Sequence, residues 1–203
     1  MKDLKDKIVL ITGAASGTGR QLAQELASRG AIIAAVDINP LGLDETVALI
    51  RRAGGRVKDY LFDTAKRLPV VALVNEVLDD WGRIDILINA AEVHPTDPLL
   101  TMDEWDFHRT LDVNLAGPFF LMQRVAQAMI QQGGAFEANG GLIVNACETE
   151  TGKGEPACLP QEGAAYTASK AGLAALTQSA AQELKAYNIQ VKTIADFRLL
   201  ISD

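Results

Sequence analysis

The 203-residue chain is short of cysteine, with two, Cys147 and Cys158. Two cysteines cannot build a disulfide framework, although one pair can still bridge. They fit a reducing compartment such as the cytoplasm. Positive charge is also short: 19 Lys and Arg stand against 26 Asp and Glu, for a formal net charge of −7. A protein that tracks nucleic-acid phosphates needs a basic face, so that class is disfavoured. No apolar run approaches a membrane span. The charged residues 1–7 lead directly into a short apolar run, with no secretory h-region between them. The two histidines, His94 and His108, form no cluster at metal-ligand spacing, so surface positions are expected for both and no metal. Trp81 and Trp105 read as packing residues rather than a binding platform. Asp79 and Asp80 read as a solvated helix end.

Apolar residues are abundant, at 48%. The length suits one domain, residues 1–203, with a sizeable core. Short apolar runs at 8–11 and 31–36, and the segments 57–62, 84–88, 142–145 and 190–194, read as strands. Helical spacing occupies 19–29, 43–53, 70–81, 102–132 and 165–187, with Gly54 and Gly55 closing the second helix and Pro118 expected to kink the fourth. Apolar strands separated by helices indicate a parallel sheet covered on both faces. Right-handed crossovers then give a doubly wound α/β fold. Residues 148–163 are the least regular stretch and fall at the carboxyl edge of the sheet, where such folds hold ligands.

The first strand is followed by Thr12-Gly13-Ala14-Ala15-Ser16-Gly17-Thr18-Gly19. Glycines permit a tight turn and close backbone approach. The helix that follows offers free N–H groups and a positive dipole end to a pyrophosphate. A glycine-rich turn is weak evidence alone, but the strand before it and the helix after it are the confirming context. The second strand ends in Asp37. A carboxylate there accepts hydrogen bonds from both adenosine ribose hydroxyls and repels a 2′-phosphate, which favours NAD over NADP. Ser16 and Ile38 flank that position and supply no cation.

Tyr166 and Lys170 stand at i and i+4, hence on one helix face. An unperturbed phenol ionises near pH ~10. An adjacent ammonium favours phenolate, so Tyr166 becomes able to exchange a proton with an alcohol oxygen near neutrality.

These motifs, in this order, resemble the short-chain dehydrogenase/reductase family over nearly the whole chain. The turn at 12–19 matches its Thr-Gly-x-x-x-Gly-x-Gly pattern, and residues 166–170 match its Tyr-x-x-x-Lys centre. The resemblance implies further roles. Asp63 lies near the adenine amine, and Asn89, Ala90, Ala91 and Glu92 stand for an Asn-Asn-Ala-Gly segment at the cofactor. Asn114 holds a relay water, and Lys170 also binds the nicotinamide ribose. The implied activity is NAD-dependent hydride transfer between nicotinamide and a small alcohol or ketone. The implied assembly is a homodimer through helices 102–132 and 165–187, with Ala168, Ala171, Leu173, Ala174 and Leu176 in the contact.

Four departures from the family pattern stand out. Glu148 holds the place of a catalytic serine. Ionised, it disfavours phenolate at Tyr166; protonated, it can donate one hydrogen bond. Thr149 and Thr151 are alternative hydroxyl partners, while Cys147 reads as a buried small residue. Glu92 replaces a glycine that passes close to the cofactor, so its side chain either crowds the ribose or points to solvent. Ala90 removes an amide that ties the central strands. After Ala195 the residues 196–203 replace a Pro-Gly segment, and the expectation is that a lid helix and seventh strand are missing. These departures keep two other readings open: a non-catalytic NAD-binding sensor or scaffold, and a shortened version of a larger enzyme.

Overall fold

The computed structural model describes residues 4–132, 140–147 and 163–194. Strands β1 (Ile8–Thr12), β2 (Ile32–Asp37), β3 (Arg56–Leu61), β4 (Ile86–Asn89), β5 (Leu142–Ala146) and β6 (Gln190–Ile194) form one sheet. Helices α1 (Gly17–Ser28), α2 (Pro40–Arg52), α3 (Arg67–Trp81), α4 (Glu104–Leu111), α5 (Gly117–Gln131) and α6 (Ala164–Leu184) connect and cover them. The strand order is β3-β2-β1-β4-β5-β6, and every pairing is parallel. The winding reverses between β1 and β4, which opens a crevice at their carboxyl ends. The expected doubly wound fold is therefore present.

Burial on both faces explains the apolar runs of β1, β2 and β4, because successive strand residues point to opposite sides, whereas the edge strand β3 mixes buried and exposed residues. Leu10, Val36 and Leu87 pack with Leu73 and Val77 of α3 and Val125 of α5. Their neighbours Val9, Ile11, Ile33 and Ile88 pack with Leu22 and Leu26 of α1 and Leu43 of α2. Each such side chain contributes about 1.5–3 kcal/mol when fully buried.

The helical region 102–132 is not one kinked helix. Asp103 caps α4 by accepting the Asp106 N–H at 2.9 Å. A π turn, Asp112–Ala116, then separates α4 from α5. The irregularity falls before Pro118, which lies in the first turn of α5. Pro118 has no N–H to return to the carbonyl of Asn114. The turn ahead of it widens, and the Gly117 N–H reaches the Asp112 carbonyl.

Three smaller expectations change. β4 begins after Asp85, whose buried carboxylate accepts the Ile8 N–H at 2.8 Å and pins the start of β1. Trp105 is 68% exposed, because Thr110 is the one buried residue of α4. Asp80 is more than a solvated helix end: it accepts from the Tyr60 hydroxyl at 2.7 Å and from the Lys58 ammonium. Trp81, partly buried against the core, donates its Nε1–H to the same hydroxyl at 2.9 Å. Burial pushes the Tyr60 phenol well above its ordinary range, and the Lys58 hydrogen bond holds the Asp80 carboxyl below its own. Among the described residues, no helix is long and apolar enough to cross a membrane.

Candidate active site

The chain leaves β1 through Gly13, whose φ is +69°. A Cβ on Gly13 would lie 2.7 Å from the Ala90 carbonyl oxygen, and one on Gly19 would lie 2.1 Å from the Gly13 oxygen. Both positions therefore require glycine: the turn folds onto itself and against the end of β4. Ser16 precedes α1 in an extended conformation, with no side-chain cap hydrogen bond and no acidic residue in the first turn. The N–H groups of that turn remain available to an anion. Gly13, Ser16, Gly17, Thr18, Gly19, Asp37, Asp63, Ala90 and Ala91 all line one open groove of about 310 Å³.

Asp37 ends β2 beside this turn. One carboxylate oxygen accepts the Ala15 N–H at 2.9 Å, and the other accepts Ile38 and Asn39 N–H groups at 2.8 and 3.0 Å. A carboxylate has about four lone-pair sites, so acceptor capacity remains. Arg20, which the sequence did not single out, locks the turn to α2. It donates to the Ala15 carbonyl, to the Gly42 carbonyl at 3.0 Å, to Thr46 Oγ1 at 3.0 Å and to Glu45 at 2.9 Å. Asp63 accepts the Ala65 N–H at 3.0 Å and lies 3.5 Å from Arg109, a groove residue supplied by α4.

The central strands remain tied despite Ala90. The Thr12 hydroxyl accepts the Ala90 and Ala91 N–H groups at 3.1 and 3.2 Å. Asn89, expected at the cofactor, is buried and does not line the groove; it donates to the Asn145 side-chain oxygen at 2.7 Å, joining β4 to β5. Asn145 in turn donates to Thr177 Oγ1 at 2.8 Å on α6.

Tyr166 and Lys170 lie one turn apart on α6, 5% and 7% exposed. The Lys170 ammonium donates to the Ala146 carbonyl at 3.1 Å and lies 5.2 Å from the Tyr166 ring centre. Its second acceptor is Glu92 Oε2, at 2.6 Å. The Tyr166 hydroxyl donates to that same oxygen at 3.2 Å. Glu92 is thus half-exposed, yet engaged with both residues of the expected acid–base pair. His94 is exposed, as expected, and also stacks on the Tyr166 ring with centres 3.8 Å apart and planes 20° apart. His108 lies on the exposed side of α4, 3.6 Å from Glu104.

Asn114 sits on the π turn and is 1% exposed. Its side-chain oxygen accepts the Val93 N–H and its amide donates to the Val93 carbonyl, each at 2.9 Å. The amide also donates to Ser169 Oγ at 3.1 Å. Val93 is therefore held from both sides, with Glu92 and His94 on either flank directed at Tyr166. The one sequence signal for this arrangement was Glu92 in place of a glycine. Cys147 is buried as expected, and its thiol donates to the Lys170 carbonyl at 3.1 Å. Glu148, Thr149, Thr151, Cys158 and residues 195–203 lie outside the described residues.

Comparison with known proteins bears on this geometry. The family model for short chain dehydrogenase matches residues 7–196. The D-threitol dehydrogenase of Mycolicibacterium smegmatis is 36% identical over 194 residues, which span 95% of this chain and 70% of that protein. Among solved structures, an NAD+-bound xylitol dehydrogenase superposes with a TM-score of 0.82 at 34% identity, covering 95% of this chain and 70% of that one. A metagenomic short-chain oxidoreductase in complex with NADP also gives 0.82, at 32% identity, covering 94% of this chain and 81% of that one.

Proposed function

Because the chain belongs to the short chain dehydrogenase family, we propose that it is an NAD-dependent oxidoreductase acting on a secondary alcohol or ketone. The observation that carries this reading is a buried Tyr166–Lys170 pair adjoining a groove whose other end bears Asp37. The nicotinamide ring, when bound, supplies the hydride acceptor or donor. Tyr166 takes the proton of the alcohol, or returns it to the ketone oxygen. Lys170 supplies the positive charge that favours phenolate. Asn114 positions residues 92–94 through Val93, beside the relay-water role that the family pattern implies.

The turn residues Gly13, Ser16, Gly17, Thr18 and Gly19 hold the pyrophosphate against the start of α1. Asp37 takes the adenosine ribose, Asp63 the adenine, and Ala90 and Ala91 the wall between the two halves of the dinucleotide. Two features support NAD over NADP. The Asp37 carboxylate repels a 2′-phosphate. Arg20, bonded to the Ala15 carbonyl beside Asp37, already donates to four protein groups, and Arg109, which lines the groove, lies 3.5 Å from the Asp63 carboxylate. The relatives named for threitol and xylitol make polyhydric alcohols the first substrates to screen.

One observation favours a second reading, a non-catalytic NAD-binding protein: Glu92 occupies both residues of the acid–base pair. A fluorescence titration with NADH and NADPH tests the cofactor assignment, with tighter NADH binding expected. A polyol screen with NAD+ then separates the two readings. Turnover that disappears in Tyr166→Phe while NADH affinity stays nearly unchanged supports the enzyme. NADH binding without turnover of any alcohol or ketone supports the binding protein, and no binding of either nucleotide rejects both.

We also propose a cytoplasmic homodimer formed through α5 and α6. A groove of about 300 Å³ between these helices exposes Phe119, Ile130 and Tyr187. Ala168 and Ala171 are exposed on α6, whereas Leu173 is buried within the protomer and cannot reach a partner. Light scattering that returns a monomer or a tetramer would contradict this assembly.

A further inference from the structure

We infer that Glu92 is a gate on the acid–base centre: its carboxylate holds Tyr166 and Lys170 in a closed state and must leave Lys170 before a dinucleotide in the groove can reach them. The inference rests on the nicotinamide-dependent reading above and deepens it. The groove's lining runs from Asp37 and Ile38 to Glu92 and Val93. Tyr166 and Lys170 do not line it; they lie on the far side of Glu92, bonded to its carboxylate.

The contact favours the neutral phenol. Oε2 of Glu92 receives two hydrogen bonds, 2.6 Å from the Lys170 ammonium and 3.2 Å from the Tyr166 hydroxyl. An ionised carboxylate only accepts, so Tyr166 has to keep its proton to make its bond. A phenolate in that position would face a like charge. The same carboxylate neutralises the ammonium that would otherwise favour phenolate. Glu92 therefore opposes the ionised form of Tyr166 twice, by direct repulsion and by cancelling Lys170. Among the described residues, the titratable groups that face Tyr166 are Glu92 and His94 from the segment after β4 and Lys170 from its own helix.

The closed position is held, and it can open. Asn114 fixes the Val93 backbone at both its N–H and its carbonyl, so Glu92 starts from a defined anchor. The Glu92 side chain is 45% exposed, while that of Lys170 is 9% exposed. Rotation about the Glu92 side-chain bonds moves the carboxylate into water without breaking the Asn114–Val93 pair. A ligand that brings hydroxyl groups to Lys170 then replaces one acceptor with another.

The test combines two readouts on wild type, Glu92→Gly and Glu92→Gln. The first is the near-ultraviolet phenolate absorbance of the unliganded protein against pH, with Tyr166→Phe versions assigning the Tyr166 component apart from Tyr60 and Tyr187. Removing the carboxylate should bring the Tyr166 phenolate in at lower pH. The second is NADH affinity, expected to tighten about tenfold in Glu92→Gly, with a smaller gain in Glu92→Gln because the amide keeps the bulk. Circular dichroism confirms that each variant is folded, and the isosteric Gln variant preserves the test if the Gly variant is not. An unchanged phenolate titration in the folded variants overturns the gate. So does wild-type NADH binding that Glu92→Gly fails to strengthen, and in that case the nicotinamide reading survives. If neither wild type nor variants bind NADH, the nicotinamide reading fails and the gate with it.

Discussion

At the Asp37 end of the groove, the Asp37 carboxylate bonds within 22 residues along the chain. Asp37 accepts from Ile38 and Asn39 beside it and from Ala15, 22 residues away. At the Tyr166 end, the partners are remote. Glu92 lies 74 residues from Tyr166 and 78 from Lys170, and Asn114 reaches Ser169 across 55. The first end is a strand, a turn and a helix start whose motif is local in sequence, with α2 and the end of β4 packed against it. The second end exists only where β4, the π turn and α6 converge. Arg20 ties the first end to α2, and the N–H groups at the start of α1 stay available. Remote construction makes the second end depend on one substituted residue, Glu92, that engages the chemistry-bearing pair.

The most damaging way to break the first end is Gly19→Val. Its Cβ would fall 2.1 Å from the Gly13 oxygen, a backbone atom that cannot move aside cheaply. A loss of about 3 kcal/mol of stability is expected, read from thermal unfolding, together with loss of NADH binding. A melting temperature equal to wild type would show that the turn is looser than its contacts imply.

Asn114→Ala breaks the second end from behind. It removes both bonds to Val93 and the bond to Ser169. A cost of about 2 kcal/mol in urea unfolding is expected, since a buried donor and acceptor lose their partner. The Tyr166 phenolate titration should also change, because Glu92 and His94 lose their anchor. If stability falls but that titration does not move, Asn114 is a packing residue alone.

Asp37→Ala sharpens the comparison at the first end without unfolding it. NADH affinity should fall about tenfold, roughly 1.4 kcal/mol, with a smaller loss for NADPH. Equal losses for both nucleotides would remove Asp37 as the selector.

The smallest effect is expected from Asp80→Asn, which lies away from both ends. The Lys58 hydrogen bond depresses the Asp80 carboxyl, so its contribution is present above the ordinary carboxylate range, about pH 4, and is lost as pH falls through the lower folded-state value. The variant should flatten the acid side of the stability–pH curve slightly and leave NADH binding unchanged.

The sequence alone determined the parallel pairing of the strands in a sheet, the glycine turn and the place of Asp37. Each of these is written in short-range terms: continuous apolar runs for strands buried on two faces, glycines where a Cβ cannot fit, and a carboxylate ending a strand beside a helix start. The i, i+4 spacing of Tyr166 and Lys170 belongs to the same class. Only the tertiary structure decided what those two residues touch. Nothing within a few residues of Glu92 dictates whether its carboxylate faces water or an ammonium 78 residues away. His94 is a surface residue as its sequence suggested, but its stacking requires a partner ring brought from α6. Trp105 looked like core because an aromatic residue on a helix usually packs, yet the one buried residue of its helix is Thr110. The physical reason is the same in each case. Propensity and periodicity are properties of a segment, whereas a contact between segments depends on how the whole sheet places them.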